Sequence, residues 1–141
     1  MNKKNIAIDL RMIEHSGIGT YIQSLINPII KDLEQINFFL LVHKNIDYSK
    51  YLDSTAMENV SYINISSPIY SLLEQIEIPM KLPSNIDLYW SPHYNIPILY
   101  KFRILVTIHD IYHFVDLSFK GYFRRLYSKI IFNLIKYKSS T

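Results

Sequence analysis

The chain has 141 residues, 49% of them hydrophobic and 19% charged, with no cysteine and a formal net charge of +3. That length and apolar share suit a single domain over 1–141 with a real core and exclude a disordered chain. The lack of cysteine excludes a disulfide framework and thiolate metal or redox chemistry, in keeping with a reducing cytoplasm.

The N-terminus, Met1-Asn2-Lys3-Lys4, leads into a short apolar run interrupted by Asp9 and Arg11, a pattern of neither a signal peptide nor a membrane span. That run, Ile6 to Leu10, reads as a first strand. After a stretch with two glycines, Ile18, Tyr21, Ile22, Leu25, Ile26, Ile29, Ile30 and Leu33 recur at three and four residues, as one face of a helix. Pro28 predicts a kink or break near Asn27, because proline lacks an N–H and clashes with the carbonyl four residues back.

Phe38 to Val42 reads as a fully buried strand, Val60 to Ile65 as another, and Asp87 to Trp90 and Arg103 to Ile108 as two more. A helix is expected over Ser67 to Ile76, terminated by Pro79, and a shorter one over Tyr48 to Met57. Strands alternating with helices imply an α/β fold, a parallel sheet wound on both faces. The last segment carries Phe119, Tyr122, Phe123, Leu126, Tyr127, Ile130, Ile131, Leu134 and Ile135 on one helical stripe. From Leu117 onward there are six basic residues and no acidic one, so the basic excess is local. Three uses fit such a helix: packing on the sheet with a solvated basic face, lying on an anionic membrane surface, or binding nucleic acid, for which no motif is present.

Candidate chemistry falls at strand ends, where open parallel sheets bind ligands. Gly17 and Gly19 let backbone approach a ligand, and the helix that follows offers N–H groups and a positive dipole end to a phosphate. The dinucleotide fingerprint is incomplete, with isoleucine at position 22 and no acidic residue near Phe39, so a nicotinamide cofactor is disfavoured. A tight turn is the plain alternative. His109 and Asp110 close the Arg103 strand, where a histidine can meet a substrate hydroxyl or carry a proton and a carboxylate can orient it. A structural histidine is the alternative there. His109 and His113 have a zinc-binding spacing, but it serves only on a helix, and His109 continues a strand. Ser91 to Pro97 follows the fourth strand and mixes aromatic and polar groups, which suits a sugar or equally a proline-stiffened loop.

In order, Asp9-Leu-Arg-Met-Ile13, Ser16-Gly-Ile-Gly-Thr-Tyr21, Tyr89-Trp-Ser-Pro-His-Tyr-Asn-Ile-Pro97 and Val106-Thr-Ile-His-Asp110 resemble the N-terminal domain of family 4 glycosyltransferases. The resemblance runs from Ile6 to about Lys138. It implies one Rossmann-like half of the GT-B architecture, in which two such domains face across a cleft and transfer sugar from a nucleoside diphosphate donor with retention of configuration.

By the same resemblance, Gly17, Ile18 and Gly19 lie near the donor diphosphate and sugar, and His109, supported by Asp110, meets the donor sugar. Arg11, Tyr94 and Asn95 would contribute to acceptor recognition. No metal and no cofactor are expected, the nucleotide sugar being substrate, and the acceptor is expected to be a glycan or glycolipid. The family's donor-binding C-terminal domain and the last strands of the N-terminal one are missing from the sequence. The expectation is therefore a truncated or split product, inactive alone and cytoplasmic. Alternatively, it is a non-catalytic module that pairs with a separately encoded C-terminal domain, or that contacts the inner membrane face peripherally through 119–138.

Overall fold

The computed structural model describes residues 3–53, 58–100 and 103–109, together with Asn133. Asp110, His113 and the basic stripe over 119–138 lie outside the described residues.

Five strands form one sheet, β1 (Lys4–Asp9), β2 (Ile36–Val42), β3 (Val60–Asn64), β4 (Leu88–Ser91) and β5 (Arg103–Val106), in the order β3-β2-β1-β4-β5. Every neighbouring pair is parallel. The chain first builds outward from β1 to β3, then crosses back to lay β4 on the other side of β1. That reversal puts a topological switch point between the carboxyl ends of β1 and β4.

Side-chain alternation along the strands divides the core in two. Ile8, Phe38, Leu40, Val42 and Trp90 form one cluster with Ile22, Ile26 and Ile30 of helix α1 (Ile18–Asp32). Ala7, Leu41, Tyr89 and Ile104 form the other with Ile78 and Leu82, at and just beyond helix α2 (Glu74–Lys81). The two helices thus lie on opposite faces, the doubly wound α/β arrangement expected of a Rossmann-like domain. No described helix is long and apolar enough to cross a membrane.

Three expectations from the sequence are corrected. α1 runs unbroken through Pro28. Proline removes one backbone bond, but the helix is held on both sides of it by Ile26 and Ile30 in the core, and Asn27 donates to the Tyr51 carbonyl and accepts from the Asp53 amide. α2 begins at Glu74, well after Ser67, and it passes over Pro79 instead of ending there. Pro68 and a left-handed Tyr70, at φ 66°, interrupt the earlier residues, while Ser71 Oγ accepts from the Glu74 amide as the helix opens. The short helix expected from Tyr48 is a single 3₁₀ turn over Tyr48–Lys50, with residues 54–57 outside the described set.

Candidate functional site at the switch point

Asp9 ends β1 with its side chain on the α2 face, in a wholly buried position. A carboxylate there needs partners, and Arg11, two residues on, supplies them. Arg11 Nε donates to Asp9 Oδ1 at 2.9 Å and Nη2 to Oδ2 at 2.6 Å, a bidentate pair, while the Arg11 amide also bonds Oδ1. Tyr89 of β4 donates its hydroxyl to Asp9 Oδ2 at 3.1 Å. The first turn of α2 brings Glu74, whose Oε2 accepts from Arg11 Nη2 at 2.9 Å and whose Oε1 accepts from the Asn95 side-chain amide.

Burial opposes ionisation of Asp9, but the Arg11 charge and the Arg11 hydrogen bonds hold its carboxyl far below the usual range. Burial likewise opposes the charge on Arg11, and Asp9 beside it raises its pKa above even the ordinary arginine value. Tyr89 is pushed well up by burial and by the charge on Asp9. Asp9 and Arg11 therefore stay ionised at neutral pH, and Tyr89 keeps its proton.

The loop after β4 is wound about one hydroxyl. Ser91 Oγ lies 2.7 Å from the His93 carbonyl and 2.8 Å from the Asn95 carbonyl, and its one proton is shared between them. His93 Nδ1 accepts from the Asn95 amide at 3.3 Å, which puts the proton of a neutral ring on Nε2, 3.5 Å from Asp9 Oδ2. Arg11 Nη1 is buried with no hydrogen-bond partner among the described residues.

The glycine loop has two distinct constraints. Gly17, at φ 73° and ψ −70°, is the centre of a γ-turn closed by the Ile18 amide donating to the Ser16 carbonyl at 2.9 Å. Its Cβ direction is open. Gly19 is excluded from carrying a side chain for another reason, since a Cβ would run into the Ile13 carbonyl. Its amide donates to the His15 carbonyl at 2.6 Å. Two first-turn amides of α1 are thus already bonded inside the loop. No acidic residue occupies that turn, so its positive dipole end is not neutralised locally.

His109 follows β5 on the same edge, with Nε2 2.8 Å from the Pro92 carbonyl. The Tyr21 ring meets it edge-on, with centroids 4.9 Å apart. Tyr21 comes from the first turns of α1 and Pro92 from the loop after β4, so the three segments touch at His109.

Of the residues singled out in the sequence, Gly17, Ile18, Gly19 and His109 gather on the carboxyl edge. Arg11 and Asn95 are in the buried network instead, so they reach a ligand only through it. Tyr94 is half-buried and lies against Tyr70, with ring centroids 5.6 Å apart. Asp9, Glu74, His93, Tyr21 and Thr107 were not singled out as site residues. Asp9 was legible as a charge in an apolar strand, whereas Glu74 carried no local signal.

A cavity of about 530 Å³ lies elsewhere, between Ser66–Pro68 beyond β3 and the Leu73, Ile76 and Met80 side of α2. It holds none of the charged cluster. Among the described residues, no group of three or more His, Asp or Glu side chains is arranged to hold a metal ion. Comparison with protein-family profiles, with curated proteins and with solved structures finds no match to this chain.

Proposed function

We propose that this chain is the acceptor-side, N-terminal part of a retaining glycosyltransferase that uses a nucleoside diphosphate sugar and a glycan or glycolipid acceptor. The observation that carries the reading is the contact of His109 with Tyr21 and with the Pro92 carbonyl. It joins three of the four motif segments of the family resemblance on one edge of a parallel sheet, beside the switch point.

The chemistry follows from the groups on that edge. The start of α1, with no acidic residue in its first turn, favours the diphosphate, and His109 offers a ring nitrogen to sugar hydroxyls. Transfer with retention needs the acceptor hydroxyl held beside the leaving diphosphate, so positioning and electrostatics supply much of the rate. The rigid ionic cluster beneath would keep the loops that do the positioning from shifting.

Amide-resolved NMR titration of the chain with UDP-glucose and GDP-mannose tests the proposal. Perturbations should concentrate at Gly17–Thr20, at 91–95 and at His109. Shifts confined to the Ser66–Pro68 cavity, or no shift with either nucleotide sugar, would refute it.

A further inference from the structure

His109 has two ring nitrogens, and the surroundings distinguish them. Nε2 lies 2.8 Å from the Pro92 carbonyl oxygen, which can only accept, so Nε2 carries a proton. In the neutral ring, Nδ1 then has the lone pair. His109 is an exposed residue, and among the described residues no hydrogen bond engages Nδ1, which makes it the nitrogen to offer a ligand.

The ring is held by a chain of contacts from four segments. Tyr21 meets it at an interplanar angle of 81°. Tyr21 is itself packed edge-on to Trp90, centroids 6.3 Å apart, and its hydroxyl is 3.4 Å from Thr107 Oγ1. Thr107 Oγ1 also accepts from Trp90 Nε1 at 3.2 Å, and the Thr107 amide continues the sheet by donating to the Ser91 carbonyl at 3.0 Å. Turning the imidazole over would break the Pro92 bond, and moving it aside would lose the Tyr21 face.

We infer that Tyr21 and the Pro92 carbonyl are positioning groups that fix His109 as the Nε2–H tautomer, making Nδ1 an acceptor for a hydroxyl of the bound sugar. The inference rests on the glycosyltransferase reading for the identity of the ligand, but not for the tautomer. Its consequence is a specificity rule. A neutral Nδ1 accepts from a donor hydroxyl and repels the lone pairs of a phosphate or carboxylate oxygen placed at the same point. Nδ1 would therefore select a hydroxyl of the sugar, while the diphosphate is met elsewhere, at the glycine loop.

Long-range ¹H–¹⁵N NMR of the full chain reads the tautomer directly. The ligand-free protein, at a pH high enough for the ring to be neutral, should show His109 protonated at Nε2 with an unprotonated Nδ1, and a neutral ring protonated at Nδ1 instead would overturn the inference. Tyr21→Phe should preserve nuclear Overhauser contacts between the His109 ring and Pro92, because the aromatic edge remains. Tyr21→Leu should lose them while the amide spectrum of the sheet stays native. Retention of those contacts in a natively folded Tyr21→Leu would remove Tyr21 from the role.

UDP-glucose or GDP-mannose should move the Nδ1 resonance in the direction of an accepted hydrogen bond. Inorganic pyrophosphate, with no sugar hydroxyl, should shift the Gly17–Thr20 amides and leave Nδ1 in place. An equal Nδ1 shift with pyrophosphate would overturn the hydroxyl rule. Absence of any response to the nucleotide sugars would overturn the glycosyltransferase reading and the ligand role with it, while the tautomer is decided separately by the ligand-free spectrum.

Discussion

Arg11 and Glu74 are 63 residues apart in the chain and 2.9 Å apart in the fold, with both side chains buried. This single pair ties the turn after β1 to the start of α2, and through Asn95 it also ties the loop after β4. Three segments that surround the switch point are locked by one guanidinium and two carboxylates.

Removing one member should therefore cost far more than a surface charge would. Glu74→Ala strips Arg11 and Asn95 of a buried partner, and a loss of about 3–5 kcal/mol is expected by analogy with other broken buried pairs. Arg11→Met should be at least as damaging, because it leaves Asp9 and Glu74 as buried carboxylates without their cation. The double variant Arg11→Met/Glu74→Ala should be less unstable than the two losses added together. Urea midpoints with unchanged slopes are the measurement, and additive losses would mean that the pair is not coupled.

Acid should unfold the protein through this cluster and through Glu77. Burial opposes the Glu77 charge, but hydrogen bonds from Lys81, Ser67 and Ser66 outweigh it and bring its pKa to about 2. A carboxylate with a lowered folded pKa stabilises above its unfolded pKa and loses that contribution as pH falls through the folded one. For Glu77 the window runs from about pH 4.3 in the unfolded chain down to about 2 in the fold. Asp9 starts to lose its contribution below about pH 3.9 and continues to lower pH, because its folded pKa is far below the usual range. The contribution of these two carboxylates should thus be constant above the unfolded carboxylate range and fall below it. Glu77→Gln should flatten the upper part of that fall, as read by thermal midpoints along a pH series.

The two loop glycines should fail for different reasons. Gly17→Ala meets open space, but the γ-turn forces a positive φ that an L side chain resists, a strain of order 1–3 kcal/mol. Gly19→Ala has an ordinary helical backbone but places its Cβ against the Ile13 carbonyl, which can yield only if the loop or α1 moves. Thermal melts should show both losses, and NMR should separate them. Gly17→Ala should disturb amides near the γ-turn, whereas Gly19→Ala should spread shifts along α1 and into Met12 and Ile13.

Much of the fold was legible in the sequence because its signals are local. The β1, β2 and β5 runs are apolar enough to declare strands, and the three-and-four spacing from Ile18 to Leu33 matches α1 closely. Pro28 does not break α1 because the local penalty is outweighed by tertiary burial on both sides of it. The start of α2 was misplaced because Ser67 to Ile76 has helical spacing, but Pro68 and the left-handed Tyr70 act against it. At the site, the glycines and His109 were visible as motif residues at strand ends. Glu74 was invisible since its partner, Arg11, is distant in sequence, and no periodicity encodes a tertiary ion pair.

The placement of α2 also predicts how two nearby hydrophobic residues differ. Ile78 is 1% exposed and packed among Ala7, Leu41 and Tyr89, while Met80, two residues on, is 78% exposed. Ile78→Ala should cost about 2–5 kcal/mol through lost burial and a cavity. Met80→Glu should change stability by no more than about 0.5 kcal/mol, as surface substitutions usually do. Ile76 of the same helix and Leu72 and Leu73 just before it are also exposed, so Leu73→Glu and Ile76→Glu should follow Met80 and not Ile78. If Met80→Glu instead unfolded the chain to the extent of Ile78→Ala, α2 would have to be rotated on the sheet, and Glu74 could no longer reach Arg11.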